Sequence, residues 1–536
     1  MTTNVLIGVG GTGAKIVESA LYLFLAGLGP SKVIVGLVDQ DSANGNVART
    51  KTLINDMVQF REDWNSGNNR LDWSVGEDKG GAVLGRVEIE RFFGTECHWR
   101  PEQDGQATLA VVLQRQNMPE EQRVLFDMLF APGETEQDMP LTQGYQGRAH
   151  IGSAAMLASL ERDIGGFDRR TTELVQMAKQ DQDVRIFLAG SVFGGTGAAG
   201  FPTLARAINR IRSGGNQAPN RDHVRVAGAL MLPYFGFQDA ADPQANVVKA
   251  AELLPQARSA LEYYDHLLAN EPVFEQLYMI GWDQFFQLKY HEPGKDEQKN
   301  PPFAPELIAA VAALDFFDAK ASPGPAGAPI MVSSRADART FGWRDLPFTT
   351  PSHRDYAKKL VGQLLRFALY WCHRVEPALD QRSMLGGLKA PWLKDLAAGT
   401  DFKVETPEDR VRLNDLMQGV LNWAAAMHFF STRSTGEALS FDLWDTAGLE
   451  DSGDVNKPAV GVGLRKSMSS EQVSSTFDAL IKVDGGNSER DWRGAGTLFD
   501  EINRSKGKTE AKNLGLGRLV AAIHNAARPT EVAPPT

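Results

Sequence analysis

The sequence predicts an α/β fold with a mainly parallel sheet over residues 1–320, and three observations carry that expectation. Apolar runs that read as strands alternate with helical patterns. Two of those strands end in glycine-rich turns that lead straight into helices. The clearest break in the chain, Ser322-Pro-Gly-Pro-Ala-Gly-Ala-Pro329, comes only after this alternation ends.

In order, the strands are expected at 4–9, 32–38, 184–189, 224–232 and 276–281. Helical patterns lie at 14–26, 153–164, 172–179, 202–211, 244–268 and 305–319, the last read as a core helix. Residues 50–140 interrupt the rhythm with mixed helix, a glycine-rich stretch at 66–85 and charged residues at 132–138, and read as an elaborated insertion. A linker at 321–330 separates this domain from a mostly helical C-terminal region at 331–527, with helices expected at 352–374, 407–430, 469–482, 496–504 and 514–527. Residues 528–536 read as a disordered tail.

Composition excludes several classes. The chain has 536 residues, 42% apolar and 23% charged, which is globular composition with room for more than one domain. A net charge of −11 without a local basic patch argues against a nucleic-acid-binding face. Cys97 and Cys372 are the only cysteines, and neither forms a CxxC pair, so neither a zinc site nor a disulfide framework is expected. With no apolar run long enough for a membrane span and no basic segment ahead of the first strand, a cytoplasmic location is expected.

The chemistry concentrates in the two glycine turns. Gly190-Ser-Val-Phe-Gly-Gly-Thr-Gly-Ala-Ala-Gly200 follows the strand at 184–189, and Gly10-Gly11-Thr12-Gly13 follows the strand at 4–9. Such turns leave backbone N–H groups bare for phosphate oxygens, and two in one domain suit one polyphosphate held from two sides.

Taken in order, these landmarks resemble the tubulin/FtsZ superfamily, especially its divergent bacterial tubulin-like branch. Phe193-Gly-Gly-Thr-Gly-Ala-Ala-Gly200 is similar to the signature loop, Gly8-Val-Gly-Gly-Thr-Gly13 to the first nucleotide loop, and Gly144-Tyr-Gln-Gly147-Arg148 to the third phosphate loop. The resemblance covers residues 1–320. It implies a tubulin-like nucleotide-binding domain, a GTP or GDP ligand with Mg²⁺, and head-to-tail self-association into filaments, with other protein partners meeting the C-terminal region.

The resemblance also implies site residues. Backbone amides of Gly10, Gly11, Thr12, Gly13, Gly194, Gly195, Thr196 and Gly197 bind phosphate, with Gly147 and Arg148 from the third loop. Asp39 and Asp41 either contact the nucleotide, Asp41 as a Mg²⁺ ligand through water, or belong to a solvated turn. Arg148 either neutralises phosphate or is a surface arginine. Glu306 is positioned to accept from guanine N1 and N2, and Asn300 to read O6. Residues 319–343 carry no Asn-x-Asp-type loop, leaving Asp345 as the positional candidate for the catalytic acid and GTP hydrolysis an open question.

Competing readings remain. A P-loop is nearly spelled by Gly8 to Lys15, but Lys15 falls one place late and Ile16 replaces the Mg²⁺-binding hydroxyl. An adenylating enzyme of the ubiquitin-activating type shares Gly8–Gly13 with Asp39, Asp41, Asn44, Asn46 and Arg49, and a nicotinamide-dependent oxidoreductase shares Asp39. Both leave Gly190–Gly200 unexplained. A nucleotide-holding scaffold that does not hydrolyse its ligand is the alternative from a different class.

Overall fold

A computed structural model describes residues 2–65, 69–73, 83–102, 107–133, 136–178, 182–214, 223–237, 250–271, 273–282, 286–288, 300–318, 330–331, 339–380, 407–432, 440–451, 463–481, 498 and 512–528. The chain divides into two compact units. The first comprises Met1–Glu18, Lys32–Ile54 and Ile89–Ser333, and the second Ser19–Ser31, Asn55–Glu88 and Ser334–Thr536.

The first unit is built on a parallel sheet. Strands β1 (Thr2–Val9), β2 (Lys32–Val38), β3 (Glu88–Arg91), β4 (His98–Trp99), β5 (Asp183–Ser191), β6 (Val224–Met231), β8 (Gln276–Ile280) and β10 (Ile330–Met331) form one sheet of order β10-β8-β6-β5-β1-β2-β3, with β4 also on β2. The pairs β1·β2, β1·β5, β5·β6, β6·β8, β8·β10 and β2·β4 are all parallel. A separate short pair joins β7 (Phe235–Phe237) to β9 (Phe286–Leu288).

Burial explains why the strands read as continuous apolar runs. In β5 all residues after Asp183 are buried, and in β1 all from Asn4 onward, as strands covered on both faces must be. Phe187 and Gly190 are three residues apart and face opposite sides of the sheet. Phe187 packs on Phe316 and Phe317 of helix α9 (Ala304–Asp318), while Gly190 leaves room for Phe201 of α7 (Thr196–Arg212). Helix α9 is apolar almost all round and buried along its length, the pattern of a core helix.

The order of the sheet positions the turns. From β1 the chain proceeds to β2 on one side, and from β5 to β6 on the other, so the boundary between β1 and β5 is a topological switch point. Gly8 lies opposite Ala189 in the register, which brings both glycine turns to the same end of adjacent strands.

Helix starts differ from expectation. Helix α1 (Gly10–Leu25) begins four residues earlier than expected, and α7 begins at Thr196 with Pro202 inside it. Gly11 and Gly13 therefore lie in the first turn of α1 and Gly197 in that of α7, while Gly194 and Gly195 remain in the loop ahead of α7. Gly and Thr are poor helix formers, so local propensity favours a later start, and tertiary contact overrides it. A Cβ at Gly13 would lie 2.4 Å from the Ala189 carbonyl oxygen, and one at Gly10, where φ is +74°, 2.9 Å from the Gly197 nitrogen. The region at 50–140 contributes α2 (Gly45–Asp63), β3, β4, and short helices α3 (Leu109–Val112) and α4 (Glu120–Leu129), so part of it extends the main sheet.

The second unit is mainly helical. Helix α10 (Pro351–Tyr370) is capped by Thr350, whose side chain accepts from the His353 N–H, and runs through a π-turn at Trp371–Val375 into α11 (Glu376–Asp380). Helices α12 (Pro407–Thr432), α13 (Ser470–Ala479) and α14 (Gly515–Ala526) complete it, with a Ser469–Gln472 capping box ahead of α13. Trp423 packs on Trp444 at 5.2 Å and Tyr22 at 5.4 Å. The linker residues 321–329, nearly all of the helix expected at 496–504, and residues 529–536 of the tail lie outside the described residues.

Gly13→Ala is expected to destabilise the first unit by about 1–3 kcal/mol, because a methyl group cannot fit against the Ala189 carbonyl without moving β5 or α1. Chemical denaturation of the variant against the parent protein measures this.

Candidate functional site

The two glycine turns open onto one cleft. It contains about 800 Å³ of empty space, solvent at its mouth included, and is lined by Gly10–Thr12, Asp39, Asp41, Asn44, residues 143–147, Ser191, residues 193–197, Phe235 and Leu253.

Three helix N-termini meet this lining. Helices α1 and α7 start at Gly10 and Thr196, and α5 (Ala149–Glu161) starts just after Gly147. Neither Gly195, the N-cap of α7, nor Arg148, the N-cap of α5, makes a side-chain capping bond, and the first turns of all three helices lack acidic residues. The first N–H groups of a helix have no intrahelical partner, and with the positive dipole end they suit an anion.

Asp39 ties these elements together. Its carboxylate accepts from the Thr196 hydroxyl at 2.7 Å, Asn44 Nδ2 at 2.9 Å and the Asp41 N–H at 3.2 Å. Asn44 in turn caps α2, accepting from the Asn46 and Val47 N–H groups. Asp39 is buried, so it is not part of a solvated turn. Burial, assisted by the Asp41 charge, pushes its pKa up to about 7 against the pull of its donors.

Asp41 differs. It is half-buried, lines the cleft and accepts from the Ala43 N–H at 2.9 Å, which is an Asx-turn bond. Burial raises its pKa as well. Two carboxylates beside an anion-binding lining are suited to a hard divalent cation that takes its remaining ligands from phosphate oxygens and water. Among the described residues no group of three or more acidic, His or Cys side chains is able to hold a metal alone.

Other expected residues lie elsewhere. Glu306 is completely buried and does not line the cleft. It pairs with Lys15 Nζ at 2.5 Å, accepts from the Tyr234 hydroxyl, and takes the Phe303 N–H at 2.9 Å. Lys15 also donates to the Tyr234 hydroxyl at 2.7 Å and lies 5.0–5.3 Å from the ring centres of Tyr234, Phe235 and Phe303. Desolvation lowers the Lys15 pKa, and Glu306 opposes that.

This arrangement corrects the expected role of Glu306. To accept from a base it would give up Tyr234 and the Phe303 N–H for two new bonds and strand a buried ammonium. Charged hydrogen bonds are worth about 1.5–3 kcal/mol each and roughly cancel in the exchange. Breaking the ion pair costs about 3–5 kcal/mol, which is the net loss.

Asn300 is likewise outside the lining, accepting from Asn46 Nδ2 at 3.0 Å and, through its carbonyl, from Arg49 at 3.2 Å. Arg49 forks onto the buried Glu18. Arg148 bonds Gln146 and does not line the cleft, whereas Gly147 does. A Cβ at Gly195 would meet Tyr145 at 2.8 Å and the Gly147 nitrogen at 3.2 Å, so that glycine is needed for loop packing and is not in itself a mark of phosphate contact. Asp345, in the second unit, accepts from the Gly342 N–H at 2.8 Å and closes its own turn.

Sequence reading did not single out Ser191 or Leu253, and it included Asn44 only in the adenylating-enzyme comparison and Tyr145 only as part of the third loop. Only Asn44 carried a usable signal, as a helix-capping residue type just before α2. No family model and no curated protein matches this sequence.

Raising the Asp39 pKa from 3.8 to about 7 means the folded state holds a proton that the unfolded chain has lost. The contribution of Asp39 to stability is therefore full below about pH 4 and is lost, by about 4 kcal/mol in all, as pH rises from there through 7. Asp39→Asn should remove that contribution, seen as a flatter difference in unfolding free energy between pH 5 and 8. Lys15→Met should cost about 3–5 kcal/mol by leaving Glu306 unpaired, and Lys15→Met with Glu306→Leu should recover most of it. Denaturant midpoints of the single and double variants measure the recovery.

Proposed function

We propose that this chain binds a Mg²⁺-nucleoside polyphosphate, GTP in the tubulin/FtsZ-like reading, and assembles head to tail through the face that carries the nucleotide. The observation that supports it most directly is the meeting of the β1 and β5 glycine turns at the switch point, where three helix N-termini surround one cleft. The Asp39 and Asp41 carboxylates support the accompanying cation. Gly10, Gly11, Thr12, Gly194, Gly195, Thr196 and Gly197 hold the phosphates. Among the described residues no helix is long and apolar enough to cross a membrane, and a cytoplasmic location belongs to the same reading.

A second reading is a scaffold that holds nucleotide without cleaving it. It is favoured by Asp345, whose carboxylate serves as the cap of its own turn. In this reading the ligand joins the glycine turns of β1 and β5 and stabilises the first unit.

Purified protein should bind GTP in the presence of Mg²⁺, and Thr196→Val should weaken binding about tenfold or more by removing the hydroxyl beside Asp39. Unchanged affinity in the folded variant would count against the site. Sedimentation with GTP above a threshold protein concentration, with phosphate release rising steeply alongside, distinguishes the polymerising GTPase. Bound, uncleaved nucleotide without sedimentation supports the scaffold.

A further inference from the structure

We infer that helix α4 is a self-association surface, on which a second copy of this chain seats its own α4 antiparallel about a two-fold axis. The inference goes beyond the nucleotide reading and does not depend on it, because no residue of α4 lines the cleft.

The helix is turned with an apolar side outward. Val124, Leu125, Met128 and Leu129 are 53%, 56%, 79% and 61% exposed, and as two i, i+4 pairs they form one stripe. Four of the ten exposed large apolar side chains among the described residues thus fall within six positions. The opposite side is what holds the helix. Phe126 is buried and packs on Phe130 at 5.1 Å, and Asp127 is forked by Arg115 at 2.8 and 2.7 Å. The Gln137 amide donates to Asp127 at 3.1 Å and to the Phe130 carbonyl at 2.8 Å. At about 100° per residue these anchors lie around the helix from the stripe, on its far side. Specific bonds therefore fix the stripe outward.

Area and charge point to a second copy as the occupant. At these exposures the stripe presents on the order of 400 Å² of apolar surface, the scale of patches that mark interaction sites. Two stripes face to face remove about twice that from water, and their polar rims bring the contact to the roughly 1,000 Å² that a specific interface needs. A two-fold contact lets one patch cover itself. In the antiparallel register Val124 faces Leu129 of the second copy, and Leu125 faces its Met128. Glu121, one turn ahead of Leu125, is in line with the stripe. Antiparallel pairing sets it about 16 Å from its counterpart, beyond the ~8 Å over which charges act at physiological salt. It then lies toward Ala131-Pro132-Gly133, a stretch without charge, whereas parallel pairing would set Glu121 against Glu121.

The test uses the full chain without nucleotide, so that head-to-tail assembly does not contribute, in analytical ultracentrifugation from micromolar to submillimolar concentration. The parent protein should show a monomer–dimer equilibrium. Leu125→Glu and Met128→Lys should each raise the dissociation constant tenfold or more with an unchanged unfolding midpoint, since both positions are exposed. Mixing the two variants should bring the dissociation constant of the mixed pair at least threefold below that of either alone, because glutamate faces lysine at one contact while Met128 meets Leu125 at the other. A parent that stays monomeric throughout overturns the inference, whether another protein or another part of this chain covers the stripe. Dimers that persist in either variant overturn it as well, since the contact then lies elsewhere. A mixture that associates no better than its components overturns the antiparallel register and the inference with it.

Discussion

Two glycine turns can serve one cleft only because β1 and β5 lie side by side in parallel and the backbones beyond them come into contact. Gly10 approaches the Gly197 nitrogen so closely that a single methyl group would separate them, and Gly13 approaches the Ala189 carbonyl more closely still. The Thr196 hydroxyl then bonds Asp39 at the end of β2, joining three strand ends. The convergence of helix N-termini on one cleft depends on that closeness: the starts of α1 and α7 meet because no side chain stands between Gly10 and Gly197.

Behind this lining lies polar structure that does not face the cleft. Lys15, Tyr234 and Glu306 form a sealed cluster, and Thr12, which does line the cleft, bonds the Tyr234 hydroxyl from the other side. Burying an ion pair gives little net stability by itself. Its effect here is geometric: Lys15 on α1 and Glu306 on the first turn of α9 fix where two core helices stand relative to each other, and with them the wall of the cleft at Phe235. Asp39 and Asn44 do the corresponding work on the opposite side, where Asn44 caps α2 and donates to the carboxylate at once.

Much of the first unit was legible because its strands are buried on both faces. A continuous apolar run of five to nine residues has few other uses, and β1, β2, β5, β6 and β8 fall where such runs are. Helix starts were not legible, because Gly10 and Thr196 are helical against their propensity, under tertiary contact. Nor was the fate of Glu306. A glutamate in the first turn of a helix ordinarily favours the N-terminal dipole and solvent; that a lysine 291 positions earlier takes it up is a long-range pairing that no local pattern records.

What the amino-acid sequence determined by itself was the set of strands, the two glycine-rich turns and the mainly helical second half, since these follow from local apolar runs, glycine spacing and helical periodicity. The tertiary structure alone decided which polar residues face the cleft. Asp39, Asp41 and Gly147 line it, while Arg148, Asn300 and Glu306 are bonded elsewhere. The physical reason is that a side chain's orientation depends on which partner satisfies it on burial, and for Asn300 and Glu306 those partners come from segments far apart in the chain.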